Sequence, residues 1–188
     1  MILRNRNDLF KIELPKIFIP VDIKERWHPY VFRMPTPIKD ISELVNYSIQ
    51  SITIPNFNYT PVEQTRPGNQ PQAKGTERKW RNSASHEMLI DRTFTITFQL
   101  LDGNINYRIM LETFFHYYDF KNPKPFTFDI PVHILDAEGN RMYSTIYHDC
   151  LFTGLNQFTL SYSEITPDFR TFECTFAFNE MKIDYQLQ

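Results

Sequence analysis

Cysteine is nearly absent from this chain: Cys150 and Cys174 are the two among 188 residues. Disulfide scaffolds and zinc sites draw on more ligands at tighter spacing, so the sequence requires neither. Both thiols are expected to be free, in a reducing compartment. A strong charge of one sign is also missing. The formal charge is -2, which gives no overall attraction to nucleic acid or to an anionic membrane surface. No apolar run approaches the roughly 20 residues that span a bilayer, so no membrane anchor is expected. The opening M-I-L-R-N-R-N-D carries charges where a secretory leader would need an apolar stretch.

Aromatic residues, by contrast, are abundant. Seventeen Phe and ten Tyr bring the aromatic share to 15%, too much for a disordered chain despite a mean hydropathy of -0.42. The length suits one domain with a single sizeable core, here taken as residues 1–188 with an extended arm at 56–88.

The aromatics are placed with period two, the spacing of a strand with one buried face. Phe94, Ile96 and Phe98 alternate with Thr93, Thr95 and Thr97. Phe158, Leu160 and Tyr162 alternate with Thr159, Ser161 and Ser163, and Phe172, Cys174, Phe176 and Phe178 with Thr171, Glu173, Thr175 and Ala177. The second face of each run is short and mostly uncharged, which suits a surface that something slides past or stacks against. Further strands are expected at 8–14, 41–54, 126–135 and 141–152, the last two joined through the turn formers of 136–140. Residues 20–40 hold Pro20, Pro29, Pro35 and Pro37 and read as an extended surface excursion. The single helix expected is 105–118, with Ile109, Met110, Leu111, Phe114 and Tyr117 making its apolar stripe. Residues 56–88 lack a core pattern over more than an ordinary connection's length, the mark of a functional arm.

No set of side chains converges on chemistry. His148, Asp149 and Cys150 are of catalytic type, but neighbours on a strand point to opposite faces and cannot form a nucleophile–base pair. Cys174 falls on an apolar face, which predicts a buried and inert thiol. His116 and Asp119 share a helix edge and read as exposed polar residues. Asp136 and Glu138 flank a hairpin tip with too few oxygens for calcium, so turn chemistry accounts for them. The basic run Lys74, Arg78, Lys79 and Arg81 around Trp80 has the composition of a nucleic-acid contact. Glu77 within it and the overall acidic balance favour an interface loop instead. No enzyme activity, cofactor or metal is expected.

Three segments in order resemble the tail tube proteins of contractile-tailed bacteriophages, which are related to type VI secretion tube proteins. These are N-D-L-F-K-I-E-L at 7–14, a polar arm running into D-R-T-F-T-I-T-F at 91–98 before a helix, and D-C-L-F-T-G-L-N-Q-F-T-L-S-Y-S-E with R-T-F-E-C-T-F-A-F at 149–178. The resemblance implies a mainly β fold: an antiparallel β-sandwich or rolled barrel with one flanking α-helix and a long extended arm. It implies a structural virion protein whose six-membered rings stack into a tube, with tail sheath and baseplate or neck proteins as partners. Genomic DNA would pass through the lumen without sequence-specific binding, in a tail assembled in the host cytoplasm. On that reading Phe57, Tyr59, Arg78, Trp80 and Arg81 of the arm are interface candidates. The lumen candidates are Thr93, Thr95, Thr97, Thr159, Ser161 and Ser163. A tube-initiating, baseplate or tail-completion ring stays open as an alternative. So does, more distantly, a carbohydrate- or receptor-binding module using Trp27, Tyr30 and Trp80.

Overall fold

The computed structural model describes residues 9–56, 92–119, 126–157 and 170–185. Residues 55–92 separate as a unit of their own, of which Pro55, Asn56 and Arg92 alone are described. The remainder is a mainly antiparallel β-domain.

Seven strands are laid down in the order β1 Phe10–Ile12, β2 Ile49–Thr53, β3 Thr93–Gln99, β4 Phe128–Leu135, β5 Arg141–Leu155, β6 Thr171–Ala177 and β7 Glu180–Tyr185. Across the sheet they run β1-β4-β5-β6-β3-β2, with β7 also paired to β5. Among the described residues all pairings are antiparallel, and the sheet is not closed into a barrel. β5 belongs to two ladders. Its first half pairs with β4 and β7, and its second half with β6.

The switch between ladders has a local cause. Asp129 on β4 lies between the pairs Phe128↔Cys150 and Ile130↔Tyr147, so one residue faces two, His148 and Asp149. Such a bulge bends the strand and raises its twist. Asp149 takes φ 52 there, a left-handed conformation that Asp tolerates better than most side chains.

Among the described residues three α-helices accompany the sheet where the sequence predicts one. α3, Ile105–Tyr117, is that one, and it buries Ile109, Met110 and Thr113. α1, Val21–Arg33, occupies the stretch whose prolines suggest extended chain. Pro20 sits at the N-cap and needs no amide there, Met34 turns extended before Pro35, and Pro29 is accommodated inside the helix. Burial of Ile23 and Val31 outweighs the hydrogen bond lost at Pro29. α2, Ile41–Tyr47, replaces the first half of the strand expected at 41–54. Asp40 caps it by accepting from the amides of Ser42 (2.7 Å) and Glu43 (3.2 Å), the arrangement that favours a helix start. β2 begins only after Tyr47, and β7 is an addition that the sequence reading does not anticipate.

The core lies on one face of the sheet. Phe94, Ile96 and Phe98 of β3 meet Phe172, Cys174 and Phe176 of β6, all at most 2% exposed. Phe18, fully buried, packs against Phe128, Phe152 and Phe176 with ring centroids 5.0, 5.7 and 6.1 Å away. A buried polar cluster fastens α3 to the sheet edge. Asn106 donates to Gln99 O (2.7 Å) and Ser48 Oγ (3.1 Å), and accepts from the Leu101 amide (3.1 Å). A fully buried amide needs partners of this kind.

Candidate assembly surfaces

Across β2, β3 and β6 the face of the sheet opposite the core is small and polar. Thr93, Thr95 and Thr97 project from it together, as their alternation with buried Phe94, Ile96 and Phe98 requires. Cross-strand pairing extends the face on both sides: Thr53↔Thr95↔Thr175↔Gly154 form one row, and Ser51↔Thr97↔Glu173 the next. Gly154 allows close approach in the first row, since a Cβ there would lie 3.4 Å from Thr175 Cβ. Thr153 donates to Thr175 O (3.1 Å), and Asn156 donates to Glu173 (2.8 Å). Ser51 and Thr53 lie in the part of the expected 41–54 strand that forms, and their place on this face is set by the pairing of β2 with β3. The remaining lumen candidates, Thr159, Ser161 and Ser163, lie outside the described residues, as do the arm candidates Phe57, Tyr59, Arg78, Trp80 and Arg81.

Among the described residues the sheet also ends in free edges. Among the described residues, β1 has β4 as its single strand neighbour, and β7 has β5. β1 borders a cleft lined by Phe10, Lys11, Ile12, Asn46, Tyr47 and Ile49. Asn46 fixes the chain just past β1 by accepting from the Leu14 amide (3.0 Å) and donating to Leu14 O (3.2 Å). β7 is exposed along nearly its whole length, with Ile183 45% and Tyr185 66% exposed. Apolar side chains at an open edge are what strand pairing with another chain uses.

Groups of catalytic type serve structure here. His148 Nδ1 lies 2.9 Å from Asp129 Oδ2, and the same carboxylate accepts from the Asp149 amide (3.1 Å), so this cluster holds the β5 bulge. Cys150 is buried on the other side of the strand, where desolvation pushes its thiol up to about 12. Burial raises the Cys174 thiol as well. Both cysteines are free. His116 faces Asp22 of α1 at 3.9 Å. Asp136 accepts from the amides of Glu138 (2.9 Å) and Asn140 (2.8 Å), chiefly the latter holding its carboxyl below the usual range. Trp27 and Tyr30 sit on α1 with rings 5.3 Å apart, while Trp80 lies outside the described residues. Among the described residues no three His, Cys, Asp or Glu side chains converge, and no helix is long and apolar enough to cross a membrane.

No family model matches this sequence, and no curated protein sequence matches it either. Solved structures do. The tube-terminating cap of the anti-feeding prophage superposes with a TM-score of 0.52 at 11% identity, over 98% of this chain and 93% of that one. The sheath/tube terminator and the sheath–tube complex of the PVC extracellular contractile injection system give 0.47 and 0.45. They are 13% and 11% identical, and cover 72% and 84% of this chain and 84% and 96% of theirs. At those scores they add nothing to the first. With both chains covered almost end to end, the first likeness is one of fold: this chain is built on the mainly β, helix-flanked fold of a tube-terminating cap.

Proposed function

We propose that this chain is a structural, non-enzymatic component of the tube of a contractile tail or injection particle. It acts as a six-membered ring that stacks in or terminates that tube. The observation carrying the proposal is the pairing of an aromatic core under β3 and β6 with a short, charge-poor face of Thr, Ser and Gly on the other side of β2, β3, β6 and the end of β5. Thr95, Thr97, Thr53, Thr153 and Thr175 would line a channel wall past which a polymer such as DNA moves. Many phosphate contacts would hold nucleic acid in a strongly salt-dependent way, and none of these side chains offers a cation. The fold shared with a tube-terminating cap supports the same reading. The sheet of the described residues is open at its edges, and such a sheet gains from association, because a closed assembly removes edges.

The partners of such a ring are further copies of itself, then sheath and baseplate or neck proteins. Residues 56–88 serve as an arm that binds a neighbouring subunit, with Phe57, Tyr59 and Trp80 as anchors beside Arg78 and Arg81. The particle is assembled in a host cytoplasm. Electron microscopy of the purified protein at rising concentration is the test. Six-fold rings with an open centre are expected; a protein that stays monomeric throughout would refute the proposal.

A further inference from the structure

The β1–β4–β5–β7 ladder presents charges of opposite sign at its two outer strands. Lys11, His133, Ser144 and Asp184 stand in register across the four strands, so one row starts with a cation on β1 and ends with an anion on β7. Two positions along, the row Pro131↔Ile146↔Lys182 ends in a cation on β7, and Glu13, just past the end of β1 and two residues beyond Lys11, supplies an anion on that side. The intervening rows are apolar at both ends: Phe10↔Ile134↔Tyr143↔Tyr185, and Ile12↔Val132↔Thr145↔Ile183.

We propose that β7 of one copy pairs antiparallel with β1 of a second copy. The second copy's Lys11 then lies opposite Asp184, and its Glu13 opposite Lys182. The inference rests on the ring reading above and names the surface that builds the ring. Strand direction agrees with it. β1, β4, β5 and β7 alternate, so the two edge strands run oppositely. Rotation about a ring axis preserves each strand's sense along that axis, which places β7 antiparallel to β1 of the next copy. The contact is heterologous, head to tail, as cyclic assembly requires.

Side-chain matching follows on both faces. Tyr185 would meet Phe10 of the next copy, and Ile183 its Ile12, continuing the apolar face of each copy into the next. Opposite charges and aromatic pairs directly across strands are stabilising, and like charges opposed are not. The pairs these groups now make are exposed: Lys11–Glu13 at 2.5 Å, Lys182–Glu180 at 3.2 Å and Arg141–Asp184 at 2.8 Å. Exposed pairs contribute little and rearrange easily. β2, the other outer strand of the sheet, reads I-Q-S-I-T and has no charge to match Glu180, Lys182 or Asp184.

The test uses the full chain. Within one copy, positions 11 and 184 are separated by three strand spacings, about 14 Å, too far for a disulfide. Across the proposed junction their Cα atoms would be about 5 Å apart, within disulfide reach. A variant with Lys11→Cys and Asp184→Cys should therefore give a ladder of linked multimers on oxidation, while either single substitution should not. In a second arm, Lys182→Glu and Glu13→Lys are made in separate chains. Each alone should raise the concentration for half-assembly by about fivefold, from a like-charge pair at each junction. An equimolar mixture should assemble like the unsubstituted protein, because alternating chains restore opposite charges at every junction. Intact rings with no ladder and no rescue on mixing would overturn this inference and leave the ring reading standing. An unsubstituted protein that never associates would overturn both.

Discussion

Asp129 holds Asp149 in a left-handed backbone conformation. Its Oδ1 accepts the Asp149 amide at 3.1 Å, and its Oδ2 lies 2.9 Å from His148 Nδ1. This contact sits where β5 passes from one ladder to the other. Asp129→Ala should destabilise the domain by about 1–2 kcal/mol, the usual cost of removing a hydrogen-bonding group that fixes backbone. Asp149→Gly should be near neutral, since glycine adopts φ 52 freely. Asp149→Val should cost at least about 1–2 kcal/mol, because a branched side chain resists that region. Urea unfolding of the three variants tests the ranking, and equal effects of Gly and Val at position 149 would contradict it.

Acid should weaken the fold through His133. Burial and the neighbouring Arg141 lower its pKa below 6.5, and its Nδ1 lies 2.6 Å from the buried Ser144 hydroxyl. The unfolded chain therefore takes up the proton first as pH falls. Stability contributed by neutral His133 is full above 6.5 and declines as pH drops through that value. His133→Gln should flatten this part of the stability profile. A profile unchanged by the substitution would assign the acid sensitivity elsewhere.

Both thiols should be silent in the native protein. Cys150 and Cys174 are fully buried, and burial raises both above the ordinary thiol range. An aromatic disulfide reagent at pH 8 should label neither natively and both in denaturant. Cys150 also predicts alkaline destabilisation. Between its ordinary value of 9.0 and the folded value of about 12, the unfolded chain ionises while the folded one does not. Rapid native labelling would show that the core opens more readily than its packing implies.

Phe18 should be the costliest single truncation. It joins the chain before α1 to rings from β4, β5 and β6, and its carbonyl accepts from the Tyr117 hydroxyl. Phe18→Ala should cost about 3–5 kcal/mol. Thermal unfolding would check this, and a loss below that of Asp129→Ala would show that the site collapses around the cavity.

The arm has its own test. Deleting 64–82 should leave a folded β-domain that fails to assemble, because the deletion removes the stretch proposed to bind a neighbouring subunit. Circular dichroism and electron microscopy together separate loss of fold from loss of assembly. Normal polymerisation of the shortened chain would make the arm a surface decoration.

Period two is the most readable signal in this sequence. It locates β3 and β6, and it separates the buried face of Phe94, Ile96 and Phe98 from the Thr93, Thr95 and Thr97 face without reference to any partner strand. Alternation is a local property, so one segment suffices to show it. α3 is legible for the same local reason, as an apolar stripe at helical spacing. α1 is not, because Pro20, Pro29 and Pro35 outweigh Ile23 and Val31 in any local reading, whereas in the fold the burial of those two decides. α2 does carry a start signal, Asp40 three residues before Glu43, which the β-branched residues of 41–54 mask. The rows that end in Lys11 and Asp184 are out of reach, since register between distant strands is set by the whole sheet and not by either segment.

The central position of β6 also governs when this chain can fold. Thr171–Ala177 lies between β3 and β5, so the strand that joins the two halves of the sheet is synthesised after every other described strand except β7. Until then Phe94, Ile96 and Phe98 have no Phe172, Cys174 or Phe176 to pack against, and an aromatic surface waits uncovered on the nascent chain. Non-local pairing of this kind is slow to form and prone to aggregation. A ribosome-bound chain halted before Thr171 should accordingly recruit chaperones that a chain extended past Phe178 no longer needs, which would delay subunit association until translation has passed that point.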